Sequence, residues 1–291
     1  MRLQRTISRE ITFKGVGIHS GREVTMRLVP ARRESGIVFH RTDVDEYIPA
    51  MVGAVSDTTL ATTLSNGRAE VRTVEHILAT LSGMGIDNLL IELDAPEVPI
   101  MDGSAARFVE GIMDAGVARQ SSPRPYLKII DTVHFVDGQT EIIAEPSDGR
   151  VISYRMDFDH PALGAQELTV ELINGNFAHD IAPARTFGFL RDVQYLQSRG
   201  LALGGSLDNA VILDEQGVMN PSGLRFRDEM IRHKALDFIG DISLCGFPIY
   251  GHFTVTRSGH TTNTRFIRHL MENSGAWRMV ADMEASLGAI A

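Results

Sequence analysis

Thr73-Val74-Glu75-His76-Ile77-Leu78-Ala79-Thr80-Leu81-Ser82-Gly83-Met84 sets apolar side chains at 74, 77, 78 and 81, the spacing of one helix face, and ends in the helix-stopping signals Gly83 and Gly85. A second apolar helical pattern surrounds Arg232-His233-Lys234-Ala235-Leu236-Asp237, and in both stretches the histidine is followed seven residues later by a glycine, Gly83 or Gly240. Upstream, Gly21 leads through a strand to Pro30, and Gly138 leads through a strand to Pro146. Glycine and histidine are 55 residues apart in the first half and 95 in the second, so the second copy carries about 40 extra residues. The expected fold is α+β: two similar sheet-plus-helix domains, packed with both histidine-bearing helices near one interface, a common place for a site.

Working outward, residues 21–28 and 36–40 flank a polar turn and read as a hairpin, 88–93 as a short strand, and 105–115 as a helix with Phe108, Val109 and Ile112 on one face. Ser121-Ser122-Pro123-Arg124-Pro125 favours extended chain and is the linker candidate, which divides the chain into domains 1–122 and 123–291. Residues 126–136, 141–144 and 151–158 read as strands of the second domain.

Composition excludes several classes. The 291 residues are 43% hydrophobic and 22% charged, ordinary for a globular chain. A single cysteine, Cys245, rules out an intrachain disulfide and a thiolate metal cluster, and reads as a buried structural thiol. Net charge is −9, the wrong sign for a general nucleic-acid binder, so an anionic small substrate needs a local basic pocket. Only Lys14, Lys128 and Lys234 are lysines, and Lys234 adjoins His233. No apolar run is long enough for a signal peptide or a membrane helix, which predicts a cytoplasmic protein without stable membrane insertion.

His233 and Asp237, four apart on a helix, project from one face and could grip one metal ion. Alone, such a pair more often marks a solvated helix face. Glu75 and His76 are adjacent and diverge around their helix, which suits a division of labour between ligand and proton acceptor; alone, they read as a dipole-favoured glutamate and an ordinary histidine. Together, His76, His233 and Asp237 form an N, N, O set with a fourth position open, the pattern of a catalytic zinc. Zinc lowers the pKa of a coordinated water to about 7, and a carboxylate can take its proton during attack on a carbonyl. That is amide or ester hydrolysis. Ser258-Gly259-His260, with Asp241 as an orienting carboxylate, offers the acid for a leaving amine. His40, His134, His179, His252 and His269 lack such company and read as structural or surface residues.

Gly17-Ile18-His19-Ser20-Gly21, Val74-Glu75-His76, residues 99–105 (Pro-Ile-Met-Asp-Gly-Ser-Ala), residues 184–189 (Ala-Arg-Thr-Phe-Gly-Phe), residues 204–210 (Gly-Gly-Ser-Leu-Asp-Asn-Ala), Arg232-His233-Lys234 with Asp237, and Ser258-Gly259-His260 together resemble, nearly end to end, the UDP-3-O-acyl-N-acetylglucosamine deacetylases. The resemblance implies removal of the N-acetyl group of a UDP-linked, 3-O-acylated glucosamine in lipid A biosynthesis. It implies one zinc ion on His76, His233 and Asp237, with ferrous iron compatible with the same ligands. It assigns Glu75 as general base, His260 held by Asp241 as acid and oxyanion stabiliser, and Thr186 as a further hold on the carbonyl oxygen. It gives each domain an insert, the second, around residues 187–210, forming an apolar passage for the acyl chain. It assigns Lys234 and Arg257 to the diphosphate, Phe158 beside Asp157 to the uracil, and Phe187 and His19 to the substrate pocket. By their residue type alone, Phe158 and Phe187 read as packing, and Gly17 and Gly21 read as needed for the backbone geometry of the turn that holds His19. Glu145, before Pro146, departs from the pattern, since some members carry a lysine there. Another acylated amino sugar or an ester is a second reading, and a binding homologue without turnover a third; Glu75, His260 and three intact ligands argue against the last. A monomer is expected, because two halves of one chain can build the site.

Overall fold

The computed structural model describes residues 2–158, 160, 163–173 and 175–281. Five α-helices lie among the described residues: α1 (Glu75–Met84), α2 (Ala106–Ala115), α3 (Leu190–Ser198), α4 (Glu229–Ile242) and α5 (His260–Glu272). The fold is α+β. One sheet has the order Ile11–Val16, Glu23–Pro30, Leu89–Leu93, Ile37–Arg41, Glu46–Pro49. The other has the order Val133–Asp137, Thr140–Glu145, Ile249–Thr256, Arg150–Phe158, Gly164–Glu171, with Tyr126–Ile129 and Trp277–Val280 added beside the start of Ile249–Thr256.

Both five-strand paths run antiparallel, antiparallel, parallel, antiparallel. A parallel pair obliges the chain to cross over. In each half the crossover passes through an insert and ends in a histidine-bearing helix, α1 before Leu89–Leu93 and α4 before Ile249–Thr256. The first insert is a small sheet of Val55–Asp57, Thr63–Ser65 and Glu70–Val71; the second is Phe187–Phe189, Val211–Asp214 and Gly217–Val218 with α3.

Strand patterning explains the first sheet. Val24, Met26 and Leu28 alternate with more exposed residues along Glu23–Pro30, so one face enters the core. The expected hairpin between residues 21–28 and 36–40 does not form: Leu89–Leu93 lies between those strands, with Leu89, Ile91 and Leu93 fully buried. A turn signal shows where the chain reverses, and here a third apolar strand takes the pairing positions. Residues 126–136 form two strands rather than one, breaking at residues 130–132, where the Ile130 and Asp131 N–H groups both donate to the Ala276 carbonyl, at 2.9 and 3.2 Å. Residues 121–125 are extended, as two prolines predict, but Val117–Pro123 is hydrogen-bonded to Leu3–Ile7. Gly83 lies inside α1 rather than after it, and Gly85, at φ 71°, is the C-cap.

α1 is buried from Glu75 through Leu81, and on α4 only Arg232 and Lys234 are not. The two helices meet at Gly240, where a Cβ would lie 2.1 Å from the Glu75 carbonyl oxygen. Backbone therefore packs on backbone, and a single apolar core runs from Leu28 and Ile77 to Ile239 and Phe253. Gly240→Ala is expected to destabilise the protein by about 1–3 kcal/mol, the range for overpacking, measured by urea unfolding. Stability equal to the parent would show that the helices part freely.

Candidate metal centre and active site

α4 presents His233, Asp237 and Asp241 at intervals of four, along one face. His233 Nε2 lies 3.3 Å from Asp237 Oδ1, and His76 Nε2, arriving from α1, lies 3.9 Å from the same oxygen. Donor atoms of all three residues fall within 4.8 Å of one another, and all three residues are buried. Donors around one ion with bonds of about 2.0–2.1 Å stand about 3.3 Å apart, so three buried donors this close could hold one metal ion.

Protonation suits the same use. Burial lowers His76 to about 3 and lowers His233 as well, leaving both imidazoles neutral. His233 Nδ1 lies 3.1 Å from the Ala184 carbonyl, which can only accept, so that nitrogen carries the proton and Nε2 keeps its lone pair. The buried Nδ1 of His76 has no hydrogen-bond partner among the described residues. Burial alone would raise the Asp237 carboxyl, but His233 and Lys234 hold it well below the usual carboxylate range. Lys234 Nζ donates to Asp237 Oδ2 at 2.7 Å; burial disfavours its charge, but Asp237 and Tyr154 hold it protonated.

Glu75 and His260 face each other beside this cluster, Oε1 to Nε2 at 4.0 Å. The other Glu75 oxygen accepts the Thr62 N–H at 3.0 Å. Burial raises Glu75 to about 7, against the pull of His260 and with the push of Asp241 and Asp237. Burial would lower His260, but Asp241 and Glu75 outweigh it and raise it to about 9. Its Nδ1–H donates to Asp241 Oδ2 at 2.9 Å. Asp241 is fully buried and also accepts from Thr62 Oγ1 at 2.6 Å and Asn263 Nδ2 at 2.8 Å.

These groups open onto a cavity of about 830 Å³. Its polar wall includes His19, Thr186, Lys234 and Arg257; its apolar wall includes Phe187, Leu190, Val193, Leu196, Leu207 and Ile212. His19 is fixed from behind: its N–H and that of Ser20 donate to Glu97 at 2.8 Å each, and Thr73 Oγ1 joins at 3.1 Å. Gly17 is required there, since a Cβ would lie 2.1 Å from Glu97 Oε2. Burial lowers the His19 pKa. Phe187 reaches the cavity and meets Phe158 edge-on at 5.7 Å, while Phe158 itself is buried with Val211, Leu213 and Met230 and does not line the wall. Asp157 is away from the cavity wall and pairs with Arg257 at 3.0 Å. Glu145 is exposed.

Sequence reasoning missed Thr62, Glu97, Asn263 and the Ala184 carbonyl. Asn263 had a signal, lying three residues after His260 on a helix and so on its face. The others act through backbone or through contacts between distant segments.

A model of the family described as "LpxC: UDP-3-O-acyl N-acetylglycosamine deacetylase" matches residues 4–272. The chain belongs to this family. Among relatives named UDP-3-O-acyl-N-acetylglucosamine deacetylase, that of Thermodesulfovibrio yellowstonii is 48% identical over 272 residues, covering 94% of this chain and 93% of its own. The Myxococcus xanthus relative is 49% identical over 279 residues (95% and 89%), and one from Haemophilus influenzae is 45% identical over 282 (95% and 92%). No helix among the described residues of this deacetylase-family chain is long and apolar enough to cross a membrane.

One buried ion pair holds the segment that carries Ala184 and Thr186. Arg185 donates through Nε to Glu229 Oε1 at 2.8 Å, and its backbone N–H reaches the same oxygen at 3.0 Å. Both side chains are buried, at 5% and 0% exposure. Arg185→Met is expected to cost about 3–5 kcal/mol by leaving Glu229 unpaired, and to weaken metal affinity by loosening Ala184. Calorimetry and metal titration read the two effects, and a variant that kept both values would show that the pair does not position the site.

Proposed function

We propose that this chain hydrolyses the N-acetyl amide of UDP-3-O-(3-hydroxyacyl)-N-acetylglucosamine, releasing acetate, in lipid A biosynthesis, with zinc on His76, His233 and Asp237. The observation that carries the reading is the Glu75–His260 pair, 4.0 Å apart beside a buried three-donor cluster. Ferrous iron suits the same donors. Bound there, the ion supplies Lewis acidity, making a water easier to deprotonate and a carbonyl easier to attack.

Glu75 takes the proton from the attacking water at Oε1, the oxygen left free by Thr62. Its raised pKa makes it a better base than an exposed carboxylate, and a neighbouring cation draws that pKa down and keeps it ionised. His260, cationic at neutral pH, directs Nε2–H toward the site because Asp241 occupies Nδ1–H. It stabilises the developing oxyanion with Thr186 and then gives its proton to the departing amine. The C–N bond breaks, the amine keeps the proton, and acetate leaves.

Lys234 and Arg257 supply local positive charge for a diphosphate in a chain of net charge −9. The apolar wall from α3, with Phe187, takes the acyl chain, and His19 lines the sugar side. Uracil is assigned to Asp157 and Phe158, which requires the buried Phe158 ring to be uncovered when substrate binds. Glu145 offers no cation where a lysine contact to diphosphate was expected. The two runs of the strand path are assigned as domains 1–122 and 123–291 of a monomer acting in the cytoplasm.

Purified protein should lose acetate release on chelation and regain it with about one equivalent of zinc. Glu75→Ala should keep the metal and lose about 10²–10⁴-fold in turnover, whereas His233→Ala should lose metal affinity as well. Equal metal loss in both variants would contradict the division of labour.

The profile of kcat/KM against pH should be a bell. Raising pH through the Glu75 value, at or below about 7, creates the base and raises the rate; raising it through the His260 value, about 9, removes the acid and lowers the rate. Asp241→Asn should move the alkaline limb downward. An unmoved limb would take His260 out of the acid role.

A further inference from the structure

Beyond the end of α1 opposite Glu75 and His76, a second cavity of about 390 Å³ opens between the two halves, lined by Leu78, Leu81, Ile242 and Ile249 together with Arg124 and Arg150. Nothing in the proposed reaction uses it. Arg150 gives N–H groups to the Ser82 carbonyl at 3.2 Å and to Ser82 Oγ at 2.7 Å, and has no carboxylate partner among the described residues. Arg124 gives Nε–H to Asp87 at 2.6 Å with only 13% of its side chain exposed, and its two terminal nitrogens have no acceptor among the described residues. They converge with Arg5 around Gly85: a Cβ there would lie 3.5 and 3.6 Å from Arg124 nitrogens and 3.6 Å from an Arg5 nitrogen.

The available negative charge does not balance these cations. Asp87 is taken by Arg124 and by the backbone N–H of Arg5 at 2.9 Å. Glu34, the other carboxylate on the wall, is exposed and accepts from Ser122 Oγ at 2.9 Å. The C-terminus of α1 contributes about half a negative charge, which accounts for part of the clustering and not for all of it. Burial, then repulsion from Arg124 and Arg2, lowers Arg150 to about 10.

We propose that this cavity binds a small organic carboxylate, its head on Arg124 and Arg150 and its hydrocarbon body on Leu78, Leu81 and Ile242. Planar guanidinium forks match a carboxylate, and the apolar wall gives a hydrocarbon body the contact that a bare phosphate would forgo. Such a ligand bridges the ends of α1 and α4 and stabilises their contact by mass action.

Methyl-labelled NMR of the full chain, titrated with hexanoate, hexan-1-ol and inorganic phosphate, tests this. Hexanoate should give saturable shifts at Leu78, Leu81, Ile242 and Ile249, with hexan-1-ol and phosphate at least about tenfold weaker, and Arg124→Gln and Arg150→Gln should each weaken hexanoate by about tenfold. Should Arg150→Gln fail to fold for want of its bonds to Ser82, Arg124→Gln carries the test alone. Shifts confined to Leu190, Val193 and Leu196, equal binding of the alcohol or of phosphate, undiminished affinity in the folded arginine variants, or no saturable shift would each overturn the proposal.

Discussion

The contact between Gly240 and the Glu75 carbonyl sets the distance on which the site depends. With a side chain at 240 the helices would stand farther apart, and the donors from α1 and α4 would no longer share one oxygen of Asp237. Each helix is nearly enclosed by apolar residues, so neither can adjust by sliding without opening the core. The polar cluster is thus defined by apolar packing around it.

Within that frame, burial and charge act in opposition. Burial penalises every ionised group here, yet Asp237 and Asp241 remain anchored because each is contacted by a cation or by hydrogen-bond donors. Glu75 has backbone support at one oxygen and no ion-pair partner as close as those of Asp237 and Asp241, so its pKa rises while that of His260 rises above it. Environment alone thus places Glu75 below His260 in pKa although they stand 4.0 Å apart. Thr62 touches both carboxylates, giving its N–H to Glu75 and its hydroxyl to Asp241, so one residue ties Glu75 to the carboxylate that holds His260.

Much of this was legible in the sequence because helices translate spacing into direction. His233, Asp237 and Asp241 recur every four residues, and the adjacency of Glu75 and His76 foretold side chains that diverge, one toward His260 and the other toward Asp237. The repeated strand path was visible only through glycines, prolines and histidines at matching places, since strand order is a property of distant pairing. The misread hairpin shows this limit: local residues marked both strands, but Leu89–Leu93 took the place between them. The residue type of Phe158 pointed to packing, which its burial with Val211, Leu213 and Met230 matches, whereas the type of Phe187 did not reveal that its ring lines the cavity. Thr62 and Glu97 act through partners far along the chain or through main-chain N–H groups, which leave no pattern to find.

The same strand path run twice has a consequence for how the molecule comes into being. Thr62 and Asp241 are 179 residues apart, and Thr58 meets Thr261 across 203. Loop closure over such spans delays these contacts relative to local ones. During synthesis the first half can collapse with its own helix while the cleft still lacks α4, so assembly of the reactive groups awaits the last part of the chain. A partly made molecule therefore carries Glu75 and His76 without the residues that complete them, and competence arises only with closure of the whole fold.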